Sequence, residues 1–565
     1  MTTSDPQNHQ KNMNFQEWTE FENFDPYKGK VERVLIDGGG SSGWMTAGAL
    51  AKLCPHLEVA LIEPVHSKTI GVGESTLGHF NQYLELLDLK DEDWMPHCDA
   101  TYKNGIQFTN FREGKEEVFQ YPFYTEYDFT YAPDGINTWS HLAARYPDEF
   151  PEDSFSQFYC PNTFLCEMNK QTRDREGVFR QFNFGQHTAY HLDATKFAHY
   201  LRDNIAIPNG VKHIRGEITG YQTMFDKPND KNINYLVQDH HVAIQADLFI
   251  DCTGFKSQLL GNWQTQSFIG YREQLANNKA IYTRVPYGEG TREEEMRNVT
   301  DCYAMDNGWT WTIPLWNRLG MGYVYSQRFV NPQDAKREFR EHLIKKLGKK
   351  RGEEAELVSV DIEHGRRERA WVNNVCGIGL SYGFVEPLES TGLLTTHENI
   401  LKLVSILNMR DGYVTRMEKE GFNYSCAQQI DNFRDFIALH YGLSKRTDTP
   451  YWRWCTQINF YNPEMLSPNM PKHQSIEQFM SSTLGPEGWH FNMNGIPFIA
   501  AGHGIKSVTY PKRSEWIMRQ RMVEEGRMPD TKRKYFQWKE YIEKYTESLP
   551  THYEFLRDEI YKSAE

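Results

Sequence analysis

The stretch VERVLIDGGGSSGWMTAGAL, Val31 to Leu50, carries the reading of the fold. An apolar burst, Val34, Leu35 and Ile36, runs into Asp37, and Gly38, Gly40 and Gly43 then fall at G-x-G-x-x-G spacing. Ala47, Gly48 and Ala49 follow as the small residues of an opening helix. Strand, tight turn and helix N-terminus, in that order, let backbone come up against a pyrophosphate, whose charge the helix's unpaired N–H groups meet. A Gly-rich turn alone can be merely structural. This one leads to a second strand, LEVALIEP, which ends in Glu63, about 20 residues beyond the glycines, where the fingerprint wants an acid for ribose hydroxyls. The expectation is an α/β dinucleotide-binding core.

Composition bounds what such a core serves. The chain has 565 residues, 39% hydrophobic and 14% aromatic, enough for a large core in two or three domains. The aromatic share suits pockets for flat ligands, though most aromatics simply pack. A formal charge of −14 argues against nucleic acid, because no excess of Lys or Arg is there to neutralise phosphates. No run of about 20 apolar residues suggests a membrane span. The opening MTTSDPQNHQKNMNFQEW is polar and lacks the apolar core of a signal peptide. The nine cysteines are scattered, with no C-x-x-C pair, as expected of reduced thiols in a cytoplasmic protein.

After the second strand comes SKTIGVGESTLGHFNQYLELLDL. Gly71, Gly73 and Glu74 form a second Gly-rich loop, where backbone can lie close to a cofactor ring. Leu77, Phe80, Leu84 and Leu87 recur behind it at helical spacing. From Trp94 to about Phe184 aromatics abound without clear period, which reads as irregular strands and loops inserted into the nucleotide domain. TAYHLDATKFAHYLRD reads as a helix capped near Asp193, with Ala194, Phe197, Ala198 and Leu201 on one face. DLFIDCTGF closes an apolar strand on Asp251, Cys252, Thr253 and Gly254, the ending of a strand that returns to a dinucleotide site.

A resemblance then becomes specific. GWTWTIP sets Trp309, Trp311, Ile313 and Pro314 in a W-x-W-x-I-P pattern, and GRRERAWVNNVCGIGLSYGFVEPLESTG ends in Pro387, Leu388, Glu389, Ser390, Thr391 and Gly392. With GGGSSGWMTAGAL, VGEST, YHLDATKFA, DLFIDCTGF and DFIALHYGL…RTDTPYWR in matching order, roughly residues 31 to 455 resemble the flavin-dependent tryptophan halogenases. The resemblance implies an FAD-binding core of the flavin monooxygenase type, with a β-rich insert and a mostly helical C-terminal lobe covering the substrate. It implies an activity too. Reduced FAD, oxygen and a halide (chloride, bromide or iodide) give hypohalous acid, which passes through a tunnel and halogenates an electron-rich, indole-like ring. Partners would be that small aromatic molecule, a separate flavin reductase supplying the reduced cofactor and a second copy in a homodimer, with no nucleic acid, membrane or metal.

By match, Gly38, Gly40, Gly43, Glu63, Gly73, Glu74, Asp251, Gly254 and Gly392 would contact FAD, and Ser390, Thr391 and Gly392 would hold the halide. Backbone N–H groups at such a turn make a small anion nest. Trp309, Trp311, Ile313 and Pro314 would flank the tunnel and deter ordinary monooxygenation. Glu389 matches the active-site glutamate, a carboxylate that can stabilise positive charge on the ring or take its proton. One place departs. Counted from Glu74, the family's lysine falls on Asn81 or Gln82, and no Lys stands between Lys68 and Lys90. An amide can hydrogen-bond hypohalous acid but brings no charge. Gln82 is therefore the expected catalytic partner of Glu389, with Lys103 or His79 as stand-ins and a flavin monooxygenase or oxidase as the alternative activity. The domain reading is a polar arm over 1–30, an FAD domain over 31–400 with β-rich insertions near 100–185 and 255–330, and a helical lobe over 401–565. In that lobe Trp489, Phe491 and Phe498 are expected to wall the substrate pocket.

Overall fold

The computed structural model describes residues 29–65, 73–123, 137–173, 183–223, 232–239, 242–457, 495–505 and 525–562. Most of the N-terminal arm, Gly71, Trp489 and Phe491 lie outside them. Strand β1 (Arg33–Asp37) is buried from Val34 onward, apolar on both faces as a parallel strand between helical layers must be. Helix α1 (Ser41–Leu53) follows, and β2 (Glu58–Glu63) lies parallel to β1 on one side. The returning strand Leu248–Asp251 lies parallel on the other, pairing Asp37 with Asp251. These are the central three of a six-stranded sheet completed by Lys212–Arg215, Val375–Gly377 and Trp371–Val372. The helix Ala194–Leu201 packs beside α1 and is capped by Asp193, whose carboxylate accepts from the Thr195 and Lys196 N–H groups.

Two further sheets set the site. A small one joins β3 (Glu74–Ser75), β4 (Thr101–Lys103) and β5 (Ala189–Leu192) in the order β3-β5-β4. Its register puts His191 opposite both Ser75 and Thr101, and Ala189 opposite Lys103. Directly opposed residues share a face of the sheet, and so do residues two apart on one strand. Ser75, His191, Thr101 and Lys103 therefore stand on one side. A seven-stranded sheet has β6 (Gly308–Pro314) near its middle, all seven residues buried. Trp309, Trp311 and Ile313 face the dinucleotide core, while Met321 and Tyr323 of the next strand rest on the helix Pro332–Leu347.

The first inserted region is β-structure only to Pro122. Its later described residues form the helices Asn137–Arg145, Ser154–Tyr159 and Asn162–Met168. Trp139, Leu142 and Ala143 recur at helical spacing and build a small core with Phe155, Phe158, Phe498 and Tyr535. The described residues of the last third are mostly helical. They begin with α2 (Thr391–Met409) and α3 (Arg416–Leu443), the latter opened by a capping box between Thr415 and Glu418. Among the described residues no helix is long and apolar enough to cross a membrane.

Candidate active site

The segment Pro387–Glu389 makes one tight turn, Ser390 takes a left-handed conformation (φ 59°), and α2 starts at Thr391. No side chain caps α2, so its first-turn N–H groups, those of Thr391 and Gly392 among them, face outward as an anion nest. A Cβ on Gly392 would meet nothing within 4 Å. Thr391 Oγ1 is buried with no hydrogen-bond partner among the described residues.

Lys103, at the end of β4, reaches this turn. Its Nζ donates to Ser390 Oγ at 2.7 Å and to the Thr76 carbonyl at 3.0 Å, and lies 4.7 Å from the centre of the Phe123 ring. The side chain is wholly buried, which pushes its pKa down to about 7 against the opposing pull of Glu389. The expectation for Asn81 and Gln82 is corrected. On the short helix Phe80–Leu86, Phe80, Tyr83 and Leu84 turn inward, which leaves Gln82 exposed. The Asn81 amide donates to the Gly78 and Thr188 carbonyls and accepts from the Tyr190 hydroxyl. The lysine that meets the Glu389–Gly392 turn is Lys103. A lysine inside the otherwise apolar and amide-rich TYKNGIQF was the available signal, since burying an ammonium is costly.

Glu389 Oε1 lies 2.6 Å from His440 Nε2 on α3, both residues being almost wholly buried. Burial raises the Glu389 carboxyl well above its ordinary range, with the Lys103 charge opposing, and holds His440 down to about 3. Burial thus favours the uncharged form of both partners in this contact. His440 is ringed by Phe108 at 4.6 Å and Phe436 at 5.6 Å between ring centroids, with Phe111 at 6.4 Å. Tyr121 lies near Glu389, and its ring centroid is 5.6 Å from that of Phe498 at a 30° tilt. The aromatic wall nearest Glu389 therefore comes from the strands Gly105–Thr109 and Val118–Pro122 and from α3, and Phe498 forms a layer behind it. His440 was missed by sequence reasoning. Its only signal was its place one helical turn after Phe436, on the same helical face.

Trp309 and Trp311 pack with ring centroids 6.0 Å apart. Trp309 Nε1 donates to buried Glu386 at 3.0 Å, a carboxylate that also accepts from Asn277 and the Tyr441 hydroxyl. Ile313 packs against the second Gly-rich loop, where a Cβ added to Gly73 (φ 107°) would come within 3.4 Å of it. Glu74, beside it in β3, is pushed up to about 7 by desolvation, with Asp193 adding. Pro314 lends its carbonyl to the Thr101 hydroxyl at 2.6 Å.

The residues of the first glycine turn fit a dinucleotide. Gly38 (φ 113°) lies against the Cys252 carbonyl, and a Cβ on Gly43 would strike the Gly38 carbonyl at 1.8 Å, so neither admits a side chain. Gly40 and Gly254 instead border open space, with nothing within 4 Å of an added Cβ. Gly40 is also the uncapped N-terminus of α1, with no acid in its first turn. Glu63 is held at the tip of β2 by His213 at 2.9 Å and Arg215 at 3.1 Å. Asp251 has a different job from the cofactor contact expected of it. Oδ1 accepts from the Thr253 N–H and hydroxyl, and Oδ2 from the Leu259 and Leu260 N–H groups. Its carboxylate shapes the turn around Gly254 and has no lone pair pointed at a ligand.

A dinucleotide seat, a tryptophan-filled strand and an anion nest flanked by lysine and glutamate together define the class, the flavin-dependent halogenases. Comparison with known proteins agrees: residues 33–506 match the family model for tryptophan halogenase, and the chain belongs to that family. It is similar to the 7-chloro-L-tryptophan 6-halogenase KtzR of Kutzneria sp. (strain 744), with 33% identity over 442 residues covering 74% of this chain and 81% of the relative. It is also similar to the tryptophan 7-halogenase RebH of Lentzea aerocolonigenes, with 32% identity over 437 residues, 75% of this chain and 79% of the relative. Among solved structures, apo VirX1 superposes with TM-score 0.86 at 55% identity, covering 95% of this chain and all (100%) of that one. The tryptophan 6-halogenase SttH of Streptomyces toxytricini gives TM-score 0.77 at 28% identity, over 93% and 99% of the two chains.

Proposed function

We propose that this chain halogenates an electron-rich aromatic ring of the indole type, with Lys103 and Glu389 as its catalytic residues and the Thr391–Gly392 turn as its halide seat. The carrying observation is that Lys103, Ser390 and Glu389 converge, buried, at the start of α2 beside the aromatic rings packed around His440. Reduced FAD, when bound, supplies with oxygen the oxidising equivalents that turn halide into hypohalous acid. The residues fitted to hold it are Gly38, Gly40, Gly43, Glu63, Gly73 and Gly254. Trp309 and Trp311 fill the strand beside that seat, which keeps an aromatic substrate away and leaves a small acid as what reaches Lys103. The Lys103 Nζ hydrogen-bonds the acid and turns its halogen toward the rings around His440. A carboxyl with a raised pKa is a stronger base than an ordinary one, so Glu389, once ionised, is suited to accept the ring proton. The monooxygenase alternative rested on a missing lysine, and Lys103 removes that ground. KtzR and RebH are named for tryptophan substrates, which makes tryptophan and simple indoles the first rings to try. A separate flavin reductase would deliver the reduced cofactor.

The test is turnover with FAD, a generic flavin reductase and NADH, each halide in turn and an indole panel, read by mass spectrometry. Lys103→Met and Glu389→Gln are expected to lose roughly a hundredfold or more in product formation, while Gln82→Ala keeps the parent rate. Full activity in Lys103→Met, or its loss in Gln82→Ala, would overturn the assignment.

A further inference from the structure

Lys103 is the first member of a longer chain of hydrogen bonds. Its Nζ donates to Ser390 Oγ at 2.7 Å, and Ser390 donates to Ser75 Oγ at 3.0 Å. Ser75 Oγ lies 2.8 Å from Thr300 Oγ1, which lies 2.9 Å from His191 Nε2. His191 Nδ1 is 3.4 Å from Thr101 Oγ1, whose hydrogen goes to the Pro314 carbonyl at 2.6 Å. All six side chains are buried, none more than 8% exposed. The pairing of β3, β5 and β4 puts Ser75, His191 and Thr101 side by side, so the row follows from strand register.

The ends set its sense. An ammonium can only donate, so Ser390 accepts from Lys103 and passes its own hydrogen to Ser75, which passes on to Thr300 and Thr300 to His191 Nε2. A carbonyl can only accept, so Thr101 points at Pro314 and leaves a lone pair for His191 Nδ1–H. Argued from either end, His191 is the same tautomer, with hydrogen on Nδ1 and a lone pair on Nε2. The hydroxyls of Ser390, Ser75 and Thr300 are all oriented to carry a proton from Lys103 toward His191.

We propose that Ser390, Ser75 and Thr300 form a proton relay through which the Lys103 ammonium discharges its proton to His191 without admitting water. The proposal rests on Lys103 being the working amine. Each hydroxyl takes a hydrogen from one neighbour and gives its own to the next, so Lys103 ends as a neutral amine whose lone pair accepts from Ser390 and His191 as an imidazolium donating from both nitrogens. No other atom changes hands. Lys103 is faced by Glu389 and Cys302, and His191 by Lys103 and His552. Burial first and the Lys103 charge second hold His191 below its ordinary basicity, so departure of the proton from the lysine lifts the second of these and strengthens the acceptor. The sequestered site gains a charge reservoir out of contact with the reactive acid. His191, Thr300 and Ser75 are positioning residues that act through Lys103.

The test has two readouts. Ser75→Ala and Thr300→Val are each expected to slow product formation about tenfold to a hundredfold and to move the acid limb of its pH profile upward, with the double variant no worse than either. Thr300→Ser, which restores the hydroxyl, should recover the parent rate. Separately, nitrogen NMR of histidine-labelled holoenzyme should show His191 as the Nδ1–H tautomer, identified as the ring whose signals shift in Thr300→Val. A Thr300→Val enzyme with the parental rate and pH profile overturns the relay, as does an Nε2–H tautomer in the parent. A parent that makes no halogenated product speaks against the proposed function, and the tautomer still decides the hydrogen-bond sense by itself.

Discussion

Asp37 sits at the end of β1 under the first glycine, buried, with Oδ2 lacking a partner among the described residues. Desolvation and the neighbouring Asp251 lift it to about 7, against the weaker pull of Lys256, while Glu217 adds to the rise. An acid raised this way holds its proton more tightly in the folded chain than in the unfolded one. The stability it lends is complete below the ordinary carboxylate value near 4 and is lost as pH climbs through about 7. Asp37→Asn apoprotein should therefore melt above its parent at pH 8, by the order of a few kcal/mol, with the gap closing toward pH 4. Equal melting at both pH values would sink this account. Lys103 is the opposite case, a base pushed down by burial. Both residues are plain in the sequence, but neither shift is, because a shift depends on what the fold packs around the group.

At the scale of the element, the strand–turn–helix of Val31–Leu50 was legible because its constraints are local. Gly38 must adopt φ 113° and stands where a Cβ would meet the Cys252 carbonyl at 2.4 Å, whereas Gly40 borders open space. Gly38→Ala should accordingly cost the apoprotein about 1–3 kcal/mol of backbone strain, seen in its thermal unfolding. Gly40→Ala should melt like the parent but bind FAD more weakly, since its methyl would project into the pyrophosphate's space. Weakened FAD binding in neither variant would remove the turn from the cofactor seat. The helix Phe80–Leu86 was legible as well, down to its inward Phe80 and Leu84. The lysine placed on it was not there. Position along the chain was a poor guide, because the lysine that reaches the Glu389–Gly392 turn stands on β4, paired with β5. Likewise Asp251 was read as a cofactor ligand from its place at a strand end, and its hydrogen bonds turn inward.

The molecule as a whole closes on one volume. Ser390 is tied to Lys103 across 287 residues, Trp309 to Glu386 across 77, and Glu389 to His440 across 51, so the small sheet, the seven-stranded sheet and the helical lobe meet around the start of α2. A ligand bound only by this assembled state must stabilise all of it. Free FAD at a hundred times its Kd should add about 2.7 kcal/mol to stability, read as a melting temperature that climbs with FAD concentration. An unmoved melting temperature would mean the seat does not bind that cofactor. Sequence also undervalued the aromatic wall. The aromatics nearest Glu389 are on strands and on α3, and Phe498 stands one ring behind them.

Order along the chain was enough for the dinucleotide core, the W-x-W-x-I-P strand and the PLESTG turn. Each is a short stretch whose backbone demands, for positive φ, close approach or a buried strand, are met by adjacent residues. Contacts between distant residues were decided by the tertiary structure alone. Strand register set His191 between Ser75 and Thr101, packing put Lys103 against Ser390, and α3 laid His440 on Glu389. The physical reason is that side-chain chemistry at a buried site is set by partners, and partners are chosen by how sheets and helices stack.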